Sequence, residues 1–549
     1  MQQAGSAAGV DAEHVASRLT GAEFVSLRCR ADGDALAATG LLARTLAAID
    51  TPFQAAVRRP GHVREPATEA DLVLNVGLTD PSTATGDAGR GGSDDTDDGD
   101  GGDAGADDNG DRVDDGDDSG IDRSDGTNGA VSLPGDRTPA SLTAARLARQ
   151  AGSDPDPLLA LAGGVAAAIR DARDPFGDGD ADHRDAGGNG EKEAENTDDK
   201  RNAADLAALR DRVRTVGLLD DRRPGIAAPT ADPVDGFVHT TLAHTDVSGD
   251  IEATRERCGT LADRGDDREL ASLLACSVVD AEGASPRAAT AVERALRPTP
   301  ASDSATPVRT LGGYADVLGA LAADRPGIGL ALVCGYDVRD AALSAWRTHA
   351  RRAHTALRTA TIARYDGLCV ARLADEFEEA IDAERTADGE RTADAGRTDR
   401  GEGTGRSDTD GDGRGDGNGD ADSGVGNGAR PPVATVARLC RDFRSPEPVA
   451  LAVGNGAGAV AATEDRALGT VVARAARDCD GTGGGSERAA EAGFGGTNDE
   501  FVAAVRAALA DGTPNGRASG TDPAGAREPG DGRTDGGWTD GGQTGGGRS

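Results

Sequence analysis

Phe24-Val25-Ser26-Leu27-Arg28-Cys29-Arg30-Ala31-Asp32-Gly33-Asp34-Ala35-Leu36 is the stretch whose reading decides the fold. Phe24 to Arg28 alternates apolar and polar residues, the period of a half-buried strand, and Ala35 to Ile49 is a helical run. The Asp-Gly-Asp between them sets two carboxylates at the carboxyl end of a strand, where open α/β sheets gather their ligands. Hard divalent cations take oxygen donors, and Gly33 lets the turn close tightly. Asp32 and Asp34 are therefore candidate catalytic groups and candidate ligands for Mn²⁺ or Mg²⁺. The other reading is local: in a chain this rich in Asp, the triplet simply caps helix 35–49.

Working outward, a strand is expected near Phe53 to Val57. The run Asp71-Leu72-Val73-Leu74-Asn75-Val76-Gly77 has the continuous apolar character of a buried parallel strand. Helices are expected at 11–20, 141–151, 156–173, 203–216, 251–264, 268–279 and 287–296, with a Pro/Gly-rich loop at 222–250. A second α/β unit is expected from about 328, with strands at 329–334, 367–372, 449–453 and 458–463 and helices at 339–359, 433–441 and 501–510.

The 549 residues carry a net charge of −37, with 57 Arg and only two Lys, Lys192 and Lys200. Abundant Asp, rare Lys and few large apolar side chains fit a cytoplasm at multimolar salt. There screening shortens electrostatics to about 3 Å or less, so the acidity argues only weakly against a nucleic-acid partner. Residues 84–130, 174–202, 385–430 and 511–549 are rich in Gly and Asp and too poor in apolar residues to offset ordering entropy, so they read as disordered inserts and a tail. The seven cysteines form no Cys-x-x-Cys, so neither a zinc ribbon nor a disulfide framework is expected. With no run of 18 apolar residues and no signal-like N-terminus, the expectation is a soluble, cytoplasmic protein.

The stretch around Asp32 resembles the first motif of the DHH phosphoesterase superfamily, which includes the RecJ exonucleases and reads roughly His-x-x-Pro-Asp-Gly-Asp-Ala-Leu-Gly-Ser. Both aspartates and the glycine are kept, and Arg28 stands in place of the His. The family's second-motif Asp is replaced in Asn75-Val76-Gly77, and Val131-Ser132-Leu133-Pro134-Gly135-Asp136 stands where Asp-His-His is expected. Gly and Ala occupy Leu161-Ala162-Gly163-Gly164-Val165, where a fourth Asp is expected, with only Asp171 nearby. The resemblance thus implies a RecJ-like fold with a dismantled metal centre. Asp80, Asp136, Asp171, His239 and His244 are the candidate replacement ligands.

Three features point to nucleic acid. Helix 339–359 carries Arg351 and Arg352 on a basic face with Trp346. Arg441-Asp442-Phe443-Arg444-Ser445-Pro446 is a basic turn that presents Arg441 and Arg444. Gly483-Gly484-Gly485, ahead of Arg488, loosely resembles the Gly-rich segment of DHHA1 domains, where exposed backbone N–H groups form an anion nest. Planar guanidinium groups suit phosphate oxygens. The alternatives stand beside these: a solvated arginine face, and loop packing for His239 and His244.

The fold expected is α/β, two α/β lobes joined by a helical connector: a DHH-like domain at 1–216, the connector at 217–327, and a DHHA1-like domain at 328–510. By the resemblance, the function is that of a RecJ-like protein of DNA replication or repair. In the first reading it is catalytically degenerate and binds single-stranded DNA or RNA, or GINS and helicase subunits of the replisome. The alternative is an active Mn²⁺-dependent exonuclease that uses Asp32 and Asp34.

Overall fold

The computed structural model describes residues 12–60, 70–78, 130–136, 138–176, 197–302, 308–374 and 430–511. Helix α1 (Ala12–Gly21) leads into β1 (Val25–Arg30), followed by α2 (Gly33–Ala48), β2 (Phe53–Arg58), β3 (Leu72–Val76) and β4 (Val131–Leu133). These four strands form one parallel sheet in the order β2-β1-β3-β4. The chain leaves β1 for β2 on one side and returns to β3 on the other, so the crevice at the carboxyl end of β1 is a topological switch point. Asp32 and Gly77 sit at that end, with Asp136 three residues past β4. Gly77, at φ +68°, turns the chain where a Cβ would meet the Ala35 methyl at 3.1 Å.

Helix α2 is apolar nearly all round, and Ala35, Leu36, Leu41, Leu42 and Leu46 are fully buried. It runs between the sheet and α3 (Ala140–Gln150), α4 (Pro157–Arg170), α11 (Leu311–Asp324) and α12 (Pro326–Val333). Gly33 permits the approach to α11: a Cβ there would lie 3.0 Å from the backbone N of Gly319. Between α4 and α11 come α5 (Thr197–Thr215), α6 (Pro233–His239), α7 (Ile251–Cys258), α8 (Leu261–Arg264), α9 (Asp267–Asp280) and α10 (Ala288–Ala291). Long helix α13 (Arg339–Thr359) then packs on α11.

The second sheet joins β5 (Thr361–Tyr365), β6 (Leu368–Arg372), β7 (Val449–Gly454), β8 (Ala457–Ala462), β9 (Thr482–Gly485) and β10 (Ala489–Gly493) in the order β5-β6-β7-β8-β10-β9. Its pairs are antiparallel except β6 with β7. The alternation in Val449-Ala450-Leu451-Ala452-Val453 divides two cores. Val449, Leu451 and Val453 pack with Val472, Phe501 and Val505 of α15 (Leu468–Arg477) and α16 (Asn498–Asp511). The alanines face the main core, which also holds Val436 and Leu439 of α14 (Val433–Leu439). Burying each such Val or Leu contributes about 1.5–3 kcal/mol, and the small inner face lets α14 and the sheet approach closely. The described residues fall within one compact unit, 1–512. Among them no helix is long and apolar enough to cross a membrane.

The α/β class with two sheets agrees with the expectation, and several local readings are corrected. Residues 329–334 are not a strand. Residues 329–333 lie in α12, with Cys334 as its C-cap, and the helix opens with Pro326 at a first-turn position where its missing N–H costs nothing. An apolar run this short fits a buried helix as well as a strand. Helix α5 begins inside the stretch 174–202 read as an insert, because Leu206, Leu209 and Val213 recur at helical spacing against the core. The 222–250 loop contains α6, capped by Asp232 with Pro233 following. Gly483 to Gly485 form edge strand β9 instead of a turn, since a Cβ at Gly485 would stand 2.2 Å from the Ala489 carbonyl oxygen. Strands β4, β5 and β10 and helices α11 and α15 are additional to the expected elements. The expected inserts and tail lie for the most part outside the described residues.

Candidate functional site

The Asp-Gly-Asp carboxylates are both spent on helix termini. Asp32 Oδ1 accepts the N–H groups of Asp34 and Ala35 at 3.1 and 3.0 Å and caps α2. Asp34, buried in the first turn of α2, reaches across to α3: Oδ2 accepts the Ala140 N–H at 2.7 Å and Oδ1 the Ser141 N–H at 3.0 Å. The residue preceding α3 is Pro139, which has no side-chain acceptor to cap the helix. Asp34 supplies that cap from another element.

Guanidinium groups take up the remaining acceptor sites. Arg30, the last residue of β1, donates through Nε to Asp32 Oδ2 and lies 3.3 Å from Asp136 Oδ1. Arg170, the last residue of α4, places Nη1 3.3 Å from Asp32 Oδ1 and makes a two-pronged pair with Asp171, both bonds 2.9 Å. The alternation continues through Arg173, which is 3.5 Å from Asp171 and 3.3 Å from Asp465, to Arg488, which donates to Asp465 at 2.6 Å. One ladder of opposite charges thus runs from the end of the first sheet to the β9–β10 connection of the second. Asp171 also accepts from the Ser486 hydroxyl at 3.2 Å.

The ladder shapes the acidities. Burial works to raise the Asp32 carboxyl, but Arg30 and Arg170 overcome it and hold the group at about 2. Burial, reinforced by the Asp32 charge, pushes Asp34 up to about 6. Asp171 is drawn below its ordinary value by Arg170 and Arg173 against the effect of burial. Adjacent carboxylates are driven apart by environment alone.

This donor set does not fit a divalent ion. Both Asp34 oxygens are committed to backbone N–H groups, and two cations already stand against Asp32. Asp136 reaches Asp32 through Arg30, and Asp171 through Arg170. His239 pairs instead with Asp235 at 2.9 Å, and His244 Nδ1 lies 3.0 Å from His354 Nδ1. Asn75 sits beside Arg28 in the β1–β3 register, and Asp80 lies outside the described residues. Among the described residues no group of three or more His, Cys, Asp or Glu is arranged to hold a metal.

Between the two sheets lies a cleft of about 160 Å³ lined by Arg30, Asp32, Arg170, Gly484, Gly485 and Glu491, and also by Arg59, Arg430 and Arg438. Of the expected nucleic-acid residues, only Gly484 and Gly485 line it. Arg441 is a correction: it is fully buried and donates to Asp442 and to the carbonyls of Ile169, Arg170 and Ala462, so no phosphate in solvent reaches it. Arg352 is buried against Asp324 at 2.8 Å and the Arg430 carbonyl. Arg351 is half-buried on α13, Arg444 lies beside Gly283, and Arg488 ends the ladder. The structure does not bring these five arginines together. The cleft arginines 59, 430 and 438 carried no motif. Arg30 and Arg170 were marked only by lying two residues before Asp32 and next to Asp171.

The chain is similar in structure to CDC45 from Entamoeba histolytica, at TM-score 0.44 and 9% identity, with 91% of this chain and 97% of that one covered. It is similar to RecJ in complex with Mg²⁺ from Thermus thermophilus at TM-score 0.32 and 14% identity, covering 91% of this chain and 52% of that one. For the exonuclease RecJ bound to manganese, the values are TM-score 0.31, 13% identity, and 91% and 94% coverage. The family model described as "Uncharacterized protein rrnAC1427, C-terminal domain" matches residues 420–507. The uncharacterized protein rrnAC1427 of Haloarcula marismortui is 33% identical over 501 residues, which span 90% of this chain and 96% of that protein. With one end-to-end relationship at that identity and a family model matching its C-terminal part, this chain belongs to the rrnAC1427 family.

Proposed function

We propose that this chain is a RecJ-like protein of DNA replication or repair whose phosphoesterase centre has been replaced by an arginine–carboxylate ladder. It holds single-stranded nucleic acid, or a replisome subunit such as GINS, without cutting the strand. The observation that carries this reading is the occupation of Asp32 and Asp34 by helix N–H groups and by Arg30 and Arg170. Phosphodiester hydrolysis of the two-metal kind needs carboxylates free to clamp two cations about 3.5–4 Å apart. Here the positive charge is built into the chain. The sheet order, the Asp-Gly-Asp at the β1 switch point and the cleft between the two sheets support the RecJ-like part of the reading.

The test is a nuclease assay on labelled single-stranded DNA with Mn²⁺ or Mg²⁺, run beside fluorescence anisotropy on the same oligonucleotide. Binding without cleavage is the expected result. Degradation that disappears in the Asp32→Ala/Asp34→Ala double variant would overturn the proposal in favour of an active exonuclease.

A further inference from the structure

Cys369 of β6 and Cys440, the first residue of the π-helical turn Cys440–Arg444 that follows α14, place their Sγ atoms 3.5 Å apart. The two residues are 71 positions apart in the chain, and both are fully buried. Polar groups converge on this contact. The Ser445 hydroxyl hydrogen-bonds the Cys369 sulfur, and Arg364 is the partner of Cys369 in the β5–β6 register. The Cys440 thiol, with Ser445 and Arg364, holds the Cys369 thiol below its ordinary value against the effect of burial. The same contact, reinforced by burial, raises Cys440. One sulfur is thus disposed to lose its proton and become a nucleophile, and the other to keep it. The cover over the pair is thin: Ser445 is buried, but Pro446 beside it is exposed, and Arg444 and Glu447 are half-buried.

We propose that Cys369 and Cys440 are an oxidisable dithiol, which hydrogen peroxide converts to a disulfide that staples β6 to the turn carrying Arg441. The Cys369 sulfur attacks one peroxide oxygen and the O–O bond breaks. The other oxygen leaves as water with the Cys369 proton, and the sulfur becomes a sulfenic acid. The Cys440 sulfur then displaces the sulfenic hydroxyl, which leaves as a second water with the Cys440 proton, and the S–S bond forms. The two sulfurs together lose two electrons and the peroxide gains them. A bond of about 2.05 Å asks the sulfurs to approach by about 1.5 Å, a movement shared by two side chains. Cys440 adjoins Arg441, whose guanidinium holds the Ile169 and Arg170 carbonyls at the end of α4. The disulfide therefore fixes to the second sheet the turn that grips α4, and closing so long a loop removes entropy from the unfolded chain. Oxidation stabilises the protein.

The test treats the native full-length protein with hydrogen peroxide and blocks the remaining thiols with N-ethylmaleimide under denaturing conditions. Mass spectrometry then maps the non-reduced digest. A Cys369–Cys440 peptide pair that dithiothreitol releases is expected, with a melting temperature raised by several degrees. Cys276→Ser, which removes the exposed cysteine, should change neither result. Cys440→Ser should abolish both. The same treatment of the wild-type chain in urea should scatter the linkages among its cysteines, a comparison that does not depend on any variant folding. Maleimide on both Cys369 and Cys440 after peroxide overturns the dithiol. So do linkages scattered as widely in the native protein as in urea. A Cys369–Cys440 bond that leaves the melting temperature unchanged overturns the staple.

Discussion

The Asp34 carboxylate, in the first turn of α2, accepts the backbone N–H of Ala140, the first residue of α3, at 2.7 Å. A residue that reads as a metal ligand is thus the cap of a helix 106 positions along the chain. Asp34→Ala should destabilise the fold by about 1–2 kcal/mol, because two buried N–H groups lose their acceptor. Urea unfolding measures this. Unchanged or higher stability would mean that the burial cost and the repulsion from Asp32, which push Asp34 up to about 6, outweigh the two N–H bonds.

Metal should not stabilise the protein. A ligand that binds only the native state raises the melting temperature by mass action. Adding Mn²⁺ or Mg²⁺, or removing both with a chelator, should leave the thermal transition where it is. A saturable upward shift that is lost in Asp32→Ala would show that the arginine ladder yields to a cation.

Arg441→Ala should be severely destabilising, by about 3–5 kcal/mol, since it leaves the buried Asp442 carboxylate short of a partner and frees three carbonyls. Arg444, half-buried beside Gly283, should tolerate alanine at a cost under about 1 kcal/mol. Similar losses at the two positions, read from denaturant midpoints, would mean that Arg441 is not the anchor described.

Acid titration separates two opposite contributions. Asp32 and Asp324 are both held at about 2; burial works against this, and Arg30 with Arg170, and His349 with Arg352, overcome it. With ordinary values near 3.8, their stabilisation is present above about pH 4 and is lost as pH falls through 2. Asp34, raised to about 6, contributes in the other direction: fully below 3.8, lost as pH rises through 6. Asp34→Asn should therefore flatten the dependence of the melting temperature on pH between about 4 and 6, and leave the fall between about 4 and 2 in place.

Neighbouring glycines of β9 should differ. A Cβ at Gly485 would lie 2.2 Å from the Ala489 carbonyl oxygen and 2.4 Å from the Ala490 Cα, whereas one at Gly484 meets nothing within 4 Å. Gly485→Ala should lower the denaturant midpoint clearly and Gly484→Ala hardly at all. Equal effects would contradict the tight β9–β10 pairing.

The local elements were legible because their determinants are local. Alternation in Phe24 to Arg28 gives β1, the apolar run at 72–76 gives β3, and the helical pattern at 339–359 gives α13 to the residue. The apolar run inside α12 was ambiguous, since burial on all sides erases the period that separates helix from strand. The role of Asp-Gly-Asp was undecided in one dimension, because both its readings need the same three residues. The tertiary structure decided it, by bringing Pro139, Arg170 and Asp136 to the end of β1. A helix without its own cap takes both oxygens of Asp34 and Arg170 takes one of Asp32, each over a sequence separation of about a hundred residues or more. Charge pairing of that range leaves no periodic trace, so the chain alone marked where the site lies, and only its packing determined which ions fill it.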